Sequence, residues 1–419
     1  MALIFFALPA TFIHAFSGLE TFLFAALMAA LLIFLFEERL YPSILVSLLL
    51  FFTRPEAWLL VVLLPLYFLT IDPNKQEKDF KCLTKNGLNQ LNWRDFILTF
   101  SFLFIPLAIY FIFHKLYFGN ALPNTFYIKS GKNYQFFYFI WLSFFTLPIF
   151  ILIPLRKFRL FIFSFLMFGA MIISYSTSEL QMNYNQRFTF HIFAPIYFFV
   201  VFIASTRQNK DFLHVYLSGK YFEKSFNISL QTALYLMLLP FFAIFANKII
   251  NKAELAWLSS YYPRAIDSHA ALGKTLQHIK NKYNLKTFSL GDAGMVAYHS
   301  KLIALDNVGL GSSAVAASGV TPDLLDVYNP DITVFFATPD NIKLDIYYQE
   351  TIYQWSLKNG LKMVCDIYWR PNYTIRIFAK DTYPEIVDIC DKSKQNNNQK
   401  DKEYILKTGI NPPWSYWKE

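Results

Sequence analysis

Apolar residues fill the first 247 positions in long blocks divided by short polar turns, at about 1–16, 21–36, 40–53, 56–71, 96–114, 136–155, 160–175, 188–204 and 226–246. They come as continuous blocks rather than periodic stripes, so each predicts a helix apolar on all sides, as in a membrane span. Several are shorter than the ~20 residues that cross about 30 Å of hydrocarbon. From about residue 248 the pattern changes. HAALGKTLQHIKNKY (269–283) is amphipathic at helical spacing, and short apolar runs follow at KTFSLGD (286–292), KLIALDN (301–307), PDITVFFA (330–337) and YTIRIFAK (373–380). Helix and strand signals in this order predict a small α/β domain. KSKQNNNQKDKEY (392–404) is polar throughout and is expected to be a flexible tail. The expected architecture is an α-helical polytopic membrane domain of about nine apolar segments (1–247), a small extracytoplasmic α/β domain (248–391) and a polar tail (392–419).

Composition strengthens the membrane reading. Of 419 residues 55% are hydrophobic and only 16% charged, too apolar for a soluble chain of this length. The net charge of +9 does not call for nucleic acid, because the basic residues of the first half sit in turns between apolar blocks. If the blocks alternate from a cytoplasmic N-terminus, the inside turns hold Arg39, Lys75, Lys78, Lys81, Lys85, Arg94, Arg156, Lys157, Arg159, Arg207, Lys210, Lys220 and Lys224. The outside turns hold only Arg54, Lys115, Lys129, Lys132 and Arg187. Thirteen against five fits the positive-inside rule and puts everything after residue 247 outside the cytoplasm. MALIFFALPATFIHAF has no basic start and reads as a membrane helix rather than a cleavable signal. Cys82, Cys365 and Cys390 have no metal spacing, and a disulfide between the last two is left open.

One block is interrupted. LLLFFTRPEAWLLVVLLPLYF (48–68) carries Arg54, Pro55 and Glu56 inside an otherwise apolar run. A charge at the bilayer centre costs about 2.5–3.5 kcal/mol on insertion scales, so a break at Thr53–Glu56 is expected, facing a water-filled cavity near the outer surface. SGLE (17–20) fills the equivalent outer turn and brings Glu20 to the same depth. The plainer role for these residues is an internal pair, Arg54–Glu20 or Arg54–Glu56, that only locks helices together. YFGNALPNTFYIKSGKNY (117–134), with Asn124, Tyr127 and Lys129, and ELQMNYNQRFTFHIFAPIY (179–197), with Arg187, add outer-side candidates. The bland alternative for Lys129 and Arg187 is an interfacial anchor, and for His14 and His191 an interior histidine with its bonds made. LGDAGMVAYHS (290–300) lacks the third glycine of a dinucleotide turn and is a weak phosphate site.

SGLET (17–21), TRPEAW (53–58), LYFGNALPNTFYIKSG (116–131) and QRFTFHIFAPIY (186–197), then GDAGMVAYHSKLIALDNVGL (291–310) and NPDITV (329–334), follow one another over nearly the whole chain. In this order they resemble bacterial integral-membrane glycosyltransferases of the GT-C superfamily, nearest the terminal arabinofuranosyltransferases of mycobacterial cell walls. The resemblance implies a polyprenyl-phosphate sugar donor, a cell-envelope glycan or lipid acceptor, and transfer at the outer face of the bacterial cytoplasmic (inner) membrane. Such a donor needs cations for its phosphate and the acceptor hydroxyl a carboxylate base, residue types that the outer-side set Glu20, Arg54, Glu56, Lys129 and Arg187 supplies; with Asn124 and Tyr127 these are the expected substrate-binding residues. The resemblance also implies a catalytic aspartate in a first outer loop, preceding the segment that matches residues 1–16, so no catalytic residue is assigned within this sequence. No cofactor is identified, a divalent cation is left open, and membrane lipids rather than nucleic acid are the expected surroundings. The alternative expectation is a non-catalytic membrane scaffold or lipid- or glycan-binding partner protein. A transporter is disfavoured by the absence of an inverted repeat.

Overall fold

The computed structural model describes residues 11, 14, 15, 20–69, 92–129, 134–153, 155, 157–178, 186–206, 238–240, 242–244, 261–291, 293–338, 341–344, 346, 348–370 and 373–408. The chain forms two compact units. The first comprises Met1–Phe113 and Lys129–Ile250, the second His114–Ile128 and Asn251–Glu419. The change of composition at 247/248 predicts that 114–128 belongs to the membrane domain, whereas the structure groups that stretch with the C-terminal unit.

The first unit is helical. Its elements are α1 (Thr21–Phe36), α2 (Leu40–Thr53), a 3-10 turn (Pro55–Leu59), α3 (Leu60–Leu69), α4 (Trp93–Phe118), α5 (Asn124–Lys129), α6 (Phe136–Phe144), a second 3-10 turn (Leu147–Leu152), α7 (Phe158–Ser176) and α8 (Arg187–Thr206); the end of α4 and most of α5 fall in the second unit. The expected break in the 40–71 block is present and has a local cause. A residue before proline is pushed out of the helical region, so α2 ends at Thr53 and Arg54 is extended at φ −151°, ψ 134°. Pro55 then opens the 3-10 turn, where its missing N–H costs no hydrogen bond.

Nine spans are not what the described residues provide. Trp93–Phe118, Phe158–Ser176 and Arg187–Ser205 are long and apolar enough to cross a membrane, whereas Thr21–Phe36, Leu40–Thr53 and Glu56–Leu69 are shorter. Most of blocks 1–16 and 226–246 lie outside the described residues. α8 is the core helix, with Phe190, Ile192, Ala194, Tyr197, Val200 and Ile203 all buried, and it packs chiefly on α1 through Phe24, Met28, Leu31 and Leu35. α4 is the opposite case. Its 26 residues rise about 39 Å, and Ile97, Phe102, Ile105, Ile109 and Ile112 stay exposed. Exposed Trp93 stands at one end and Tyr117 and Phe118 at the other, the positions where aromatic rings meet headgroups.

Contacts between turns sort into two sets. Lys157 Nζ meets Glu38 at 2.9 Å, joining the turn after α1 to that before α7. The N–H of Asn92 donates to Leu69 at 3.0 Å, and the Tyr67 hydroxyl to Leu35 at 2.8 Å. In the other set the N–H of Gln135 donates to Ser176 at 2.8 Å, Trp141 donates to Thr189 at 3.2 Å, and Arg54 and Arg187 both reach Glu20.

The second unit holds a mixed five-stranded sheet of order β2-β1-β3-β5-β4, with β1 (Thr287–Leu290), β2 (Ile303–Asp306) and β3 (Ile332–Ala337) parallel, and β5 (Tyr373–Ala379) antiparallel to β3 and to β4 (Lys362–Arg370). Among the described residues the sheet is joined by a π-helical turn (Ile266–Ala270) and by helices α9 (Ala271–Ile279), α10 (Ala293–Ser300), α11 (Ser313–Ser318), α12 (Pro322–Tyr328), α13 (Gln349–Lys358) and α14 (Pro384–Thr408). α9 buries Leu272, Gly273, Leu276 and Ile279, the face its spacing predicts. A Cβ at Gly273 would stand 2.8 Å from the Val296 carbonyl, so glycine lets α9 and α10 touch. The four expected strands are all present. β4, KMVCDIYWR, was not among them because Lys362, Asp366 and Arg370 interrupt its apolar residues.

The polar tail is a correction. Residues 392–408 continue α14, a 25-residue helix that starts at Pro384. Its inner face begins with Ile386, Ile389 and Cys390, and Cys390 is disulfide-bonded to Cys365 of β4. The face then continues in polar residues, Ser393, Asn397 and Asp401, all buried. Ser393 accepts from the N–H of Tyr368 at 3.0 Å and Asn397 donates to its carbonyl at 2.8 Å, satisfying β4 backbone. Asp401 pairs with buried Arg264 and accepts from the Tyr368 hydroxyl at 3.0 Å, while Lys400 pairs with Asp267. Burial pushes the Tyr368 hydroxyl up, and the Asp401 carboxylate raises it further. A hydropathy reading misses such a helix because its buried seam is made of hydrogen bonds.

Asp401→Asn leaves Arg264, 1% exposed, without its carboxylate, and is expected to cost about 3–5 kcal/mol in urea unfolding of the detergent-solubilised chain. Lys400→Gln, at a more exposed pair, is expected to cost about 1 kcal/mol or less. An Asp401→Asn chain as stable as the parent would remove the anchoring role of the seam.

Candidate functional site

The interruption at Arg54 organises a cluster in the first unit. The extended backbone at Arg54 turns its side chain off the end of α2, and the 3-10 turn returns Glu56 toward it. Arg54 donates from Nη2 to Glu56 Oε1 at 2.7 Å and from Nε to Oε2 at 3.2 Å, the two-pronged pairing that a guanidinium makes with a carboxylate. Its Nη1 donates to Glu20 Oε1 at 2.7 Å. Glu20 is the residue before α1, and its carboxylate makes no cap bond to that helix. Arg187, the first residue of α8, donates from Nη2 to the same Glu20 oxygen at 2.5 Å and from Nε to the Thr21 hydroxyl at 2.8 Å.

Aromatic faces hold the guanidiniums from the inner side. Arg54 lies 5.9 Å from the Phe24 ring centre and 5.6 Å from that of Phe188, and Arg187 lies 5.8 Å from Phe188. Beneath them the Tyr175 hydroxyl and His191 Nδ1 share a hydrogen bond of 3.1 Å, both residues fully enclosed. His191 is thus an interior histidine with one ring nitrogen satisfied, and buried His14 packs on Phe190 at 4.7 Å.

The side chains of Arg54, Arg187 and Glu56 are 11%, 13% and 17% exposed, and that of Glu20 is 32% exposed. Two positive and two negative groups balance, as a low-dielectric site requires. Both oxygens of Glu56 are engaged. Glu20 offers one oxygen, Oε1, to both arginines.

Of the seven expected site residues, Glu20, Arg54, Glu56 and Arg187 come together. Both pairings named as the plainer alternative, Arg54–Glu20 and Arg54–Glu56, are present. Asn124 and Tyr127 belong instead to the second unit, where Asn124 Nδ2 donates to the Leu310 carbonyl at 3.3 Å and Tyr127 is exposed. Lys129 closes α5, and its side chain lies outside the described set. Sequence reasoning missed Thr21, Phe24 and Phe188 as members. Thr21 and Phe188 are chain neighbours of Glu20 and Arg187, and Phe24 follows Glu20 by one helical turn, so adjacency was the available signal.

The second unit has features of its own. The carboxyl end of β1, where nucleotides bind in open parallel sheets, is filled: a Cβ at Gly291 would collide with the Tyr348 hydroxyl and the Phe336 ring. Asp306 accepts from the N–H groups of Val308, Gly309 and Gly311, which fixes the turn after β2. A shallow groove between α9 and α14 carries Lys274, His278, Lys282, Glu385 and Asp388; the Lys282 hydrogen bond holds the Glu385 carboxyl below its ordinary range. Among the described residues no cluster of three His, Cys, Asp or Glu side chains is placed to hold a metal ion.

The chain matches no known family model, no curated protein and no solved structure.

Exposure ranks the cluster for labelling. With Cys82 replaced by serine, cysteine at position 20 is expected to react with a water-soluble maleimide in detergent faster than cysteine at 54, 56 or 187. Equal rates at all four would mean that the cluster opens to water as a whole.

Proposed function

We propose that the chain is a membrane-embedded glycosyltransferase of the bacterial cytoplasmic membrane, moving a sugar from a polyprenyl-phosphate donor to a cell-envelope glycan or lipid at the outer face. The observation that carries the reading is the cluster itself: two guanidiniums and two carboxylates gathered at the ends of apolar helices α1, α2 and α8. A donor of this kind needs an apolar setting for its lipid and cations for its phosphate. As the sugar leaves, negative charge grows on the phosphate, and cations already fixed in a dry site stabilise it without rearranging. Arg187 and Arg54 supply that charge within the first unit. Lys129 is the third cation in the proposal.

Sidedness is supported by the contacts between turns. Ends expected inside meet one another at Glu38–Lys157 and Leu35–Tyr67, and turns expected outside meet at Glu20–Arg54–Arg187 and Gln135–Ser176. Asn124 and Leu310 bond within the second unit, which fits a shared outer side for the loop after α4 and the C-terminal chain. The Cys365–Cys390 disulfide favours an oxidising compartment for that unit. The non-catalytic scaffold is the second reading, and it is favoured by the near-complete mutual pairing of the four charges.

The test is transfer from a radiolabelled polyprenyl-phosphate sugar in membranes, at matched protein levels. Arg187→Gln is expected to lower the rate by about a hundred- to a thousandfold, the usual loss for a positioned transition-state charge. Lys129→Gln is compared in the same assay. Near-normal rates in both variants, or no transfer by the parent chain from any such donor, would sink the enzyme reading in favour of the scaffold.

A further inference from the structure

We propose that Arg54 and Arg187 form a binding site for a phosphate group, and that the Glu20 carboxylate is an internal occupant which the phosphate displaces. The site itself is argued from the first unit alone; only the choice of a polyprenyl carrier rests on the proposed function.

Three observations carry it. Arg54 Nη1 and Arg187 Nη2 converge on a single acceptor, Glu20 Oε1, at 2.7 and 2.5 Å. Two guanidiniums aimed at one oxygen make an anion site, and here that oxygen belongs to the protein. Second, each arginine is held by groups other than Glu20. Glu56 grips Arg54 with both oxygens, the Thr21 hydroxyl accepts from Arg187 Nε at 2.8 Å, and the Phe188 ring flanks both guanidiniums. Withdrawal of Glu20 therefore leaves both donors aimed. Third, Glu20 is the least committed member. It is the most exposed of the four, at 32%, and it makes no cap bond to α1. The amino end of that 16-residue helix adds partial positive charge at the same point.

The charge balance follows. With Glu20 in place the four groups sum to zero, and with Glu20 withdrawn they sum to +1. A phosphodiester brings one negative charge and a phosphomonoester between one and two at neutral pH, so either restores or exceeds neutrality. Competition from Glu20 weakens the apparent affinity by the fraction of time the site is free. For a transferase this has a use: the monoester product carries more charge than the diester donor, and a returning carboxylate helps expel it.

The experiment is calorimetric titration of the detergent-solubilised chain with inorganic phosphate and, separately, with polyprenyl monophosphate. Glu20→Gln removes the competing charge and is expected to bind phosphate about tenfold tighter than the parent chain. Arg187→Gln is expected to bind about tenfold weaker or worse. Where Glu20→Gln gives no folded protein, Glu20→Asp, one methylene too short to bridge both arginines, is expected to tighten binding in the same direction. Tightening for both ligands assigns recognition to the phosphate alone, and tightening for the lipid only assigns it to phosphate and tail together; either supports displacement. Unchanged or weaker binding in the folded Glu20 variants overturns the proposal and makes Glu20 a structural partner. The two claims fail separately. A chain that binds phosphate this way but transfers no sugar refutes the transferase, and one that transfers sugar with no gain in Glu20→Gln refutes this site.

Discussion

A guanidinium that sits among apolar helices has to be met by carboxylates, and in this chain that demand falls on Arg54. Proline at 55 forces the residue before it out of the helix, so Arg54 is fixed by local sterics at the end of α2. Left alone there, the charge would carry a desolvation penalty of several kcal/mol. Glu56 arrives from the next turn and Glu20 from the start of α1. Glu20 in turn recruits Arg187, and with it the start of α8. The buried contact between α1 and α8, the main helix pair of the first unit, thus begins at an ion pair. Remove the demand at Arg54 and the reason for these residue types goes with it.

The same network bears on function. A cluster that only locked helices would gain most from full pairing on every oxygen, as Glu56 achieves. Glu20 does not follow that pattern: a single oxygen serves two arginines, and its side chain is the most exposed of the four. That asymmetry separates the residue that holds the site from the residue that occupies it. It also links stability to binding, because the contacts that fix the arginines without Glu20 are those that keep them aimed at an incoming anion.

Much of this was legible in the residue order, though unevenly. Helices 21–36 and 40–53 run between the limits their apolar blocks set, since EER at 37–39 and RPE at 54–56 cannot continue an apolar helix at low cost. Four of the five strands stand out as short runs between turn residues. What stayed hidden has physical causes. β4 breaks its apolar residues into two triplets between Lys362, Asp366 and Arg370, and the second half of α14 buries Ser393, Asn397 and Asp401, so neither shows as a continuous apolar run. In the site, the kinds of residue were readable but not their partners. Arg187 meets Glu20 and Thr21 across 167 and 166 positions of chain, a pairing that only the packing of α8 on α1 creates. The grouping of 114–128 with the C-terminal unit was equally unreadable, because it turns on contacts of Asn124 and its neighbours rather than on composition.

The central claim is that Arg54 and Glu20 stabilise the first unit as one interaction rather than as two separate surface charges. A double-mutant cycle with Arg54→Gln, Glu20→Gln and the pair, read as thermal or denaturant stability in detergent, measures that directly. The account predicts a coupling of about 1–3 kcal/mol, with the double variant more stable than the two single losses sum to. Losses that add to within about 0.5 kcal/mol would contradict it, because the two charges would then be independent.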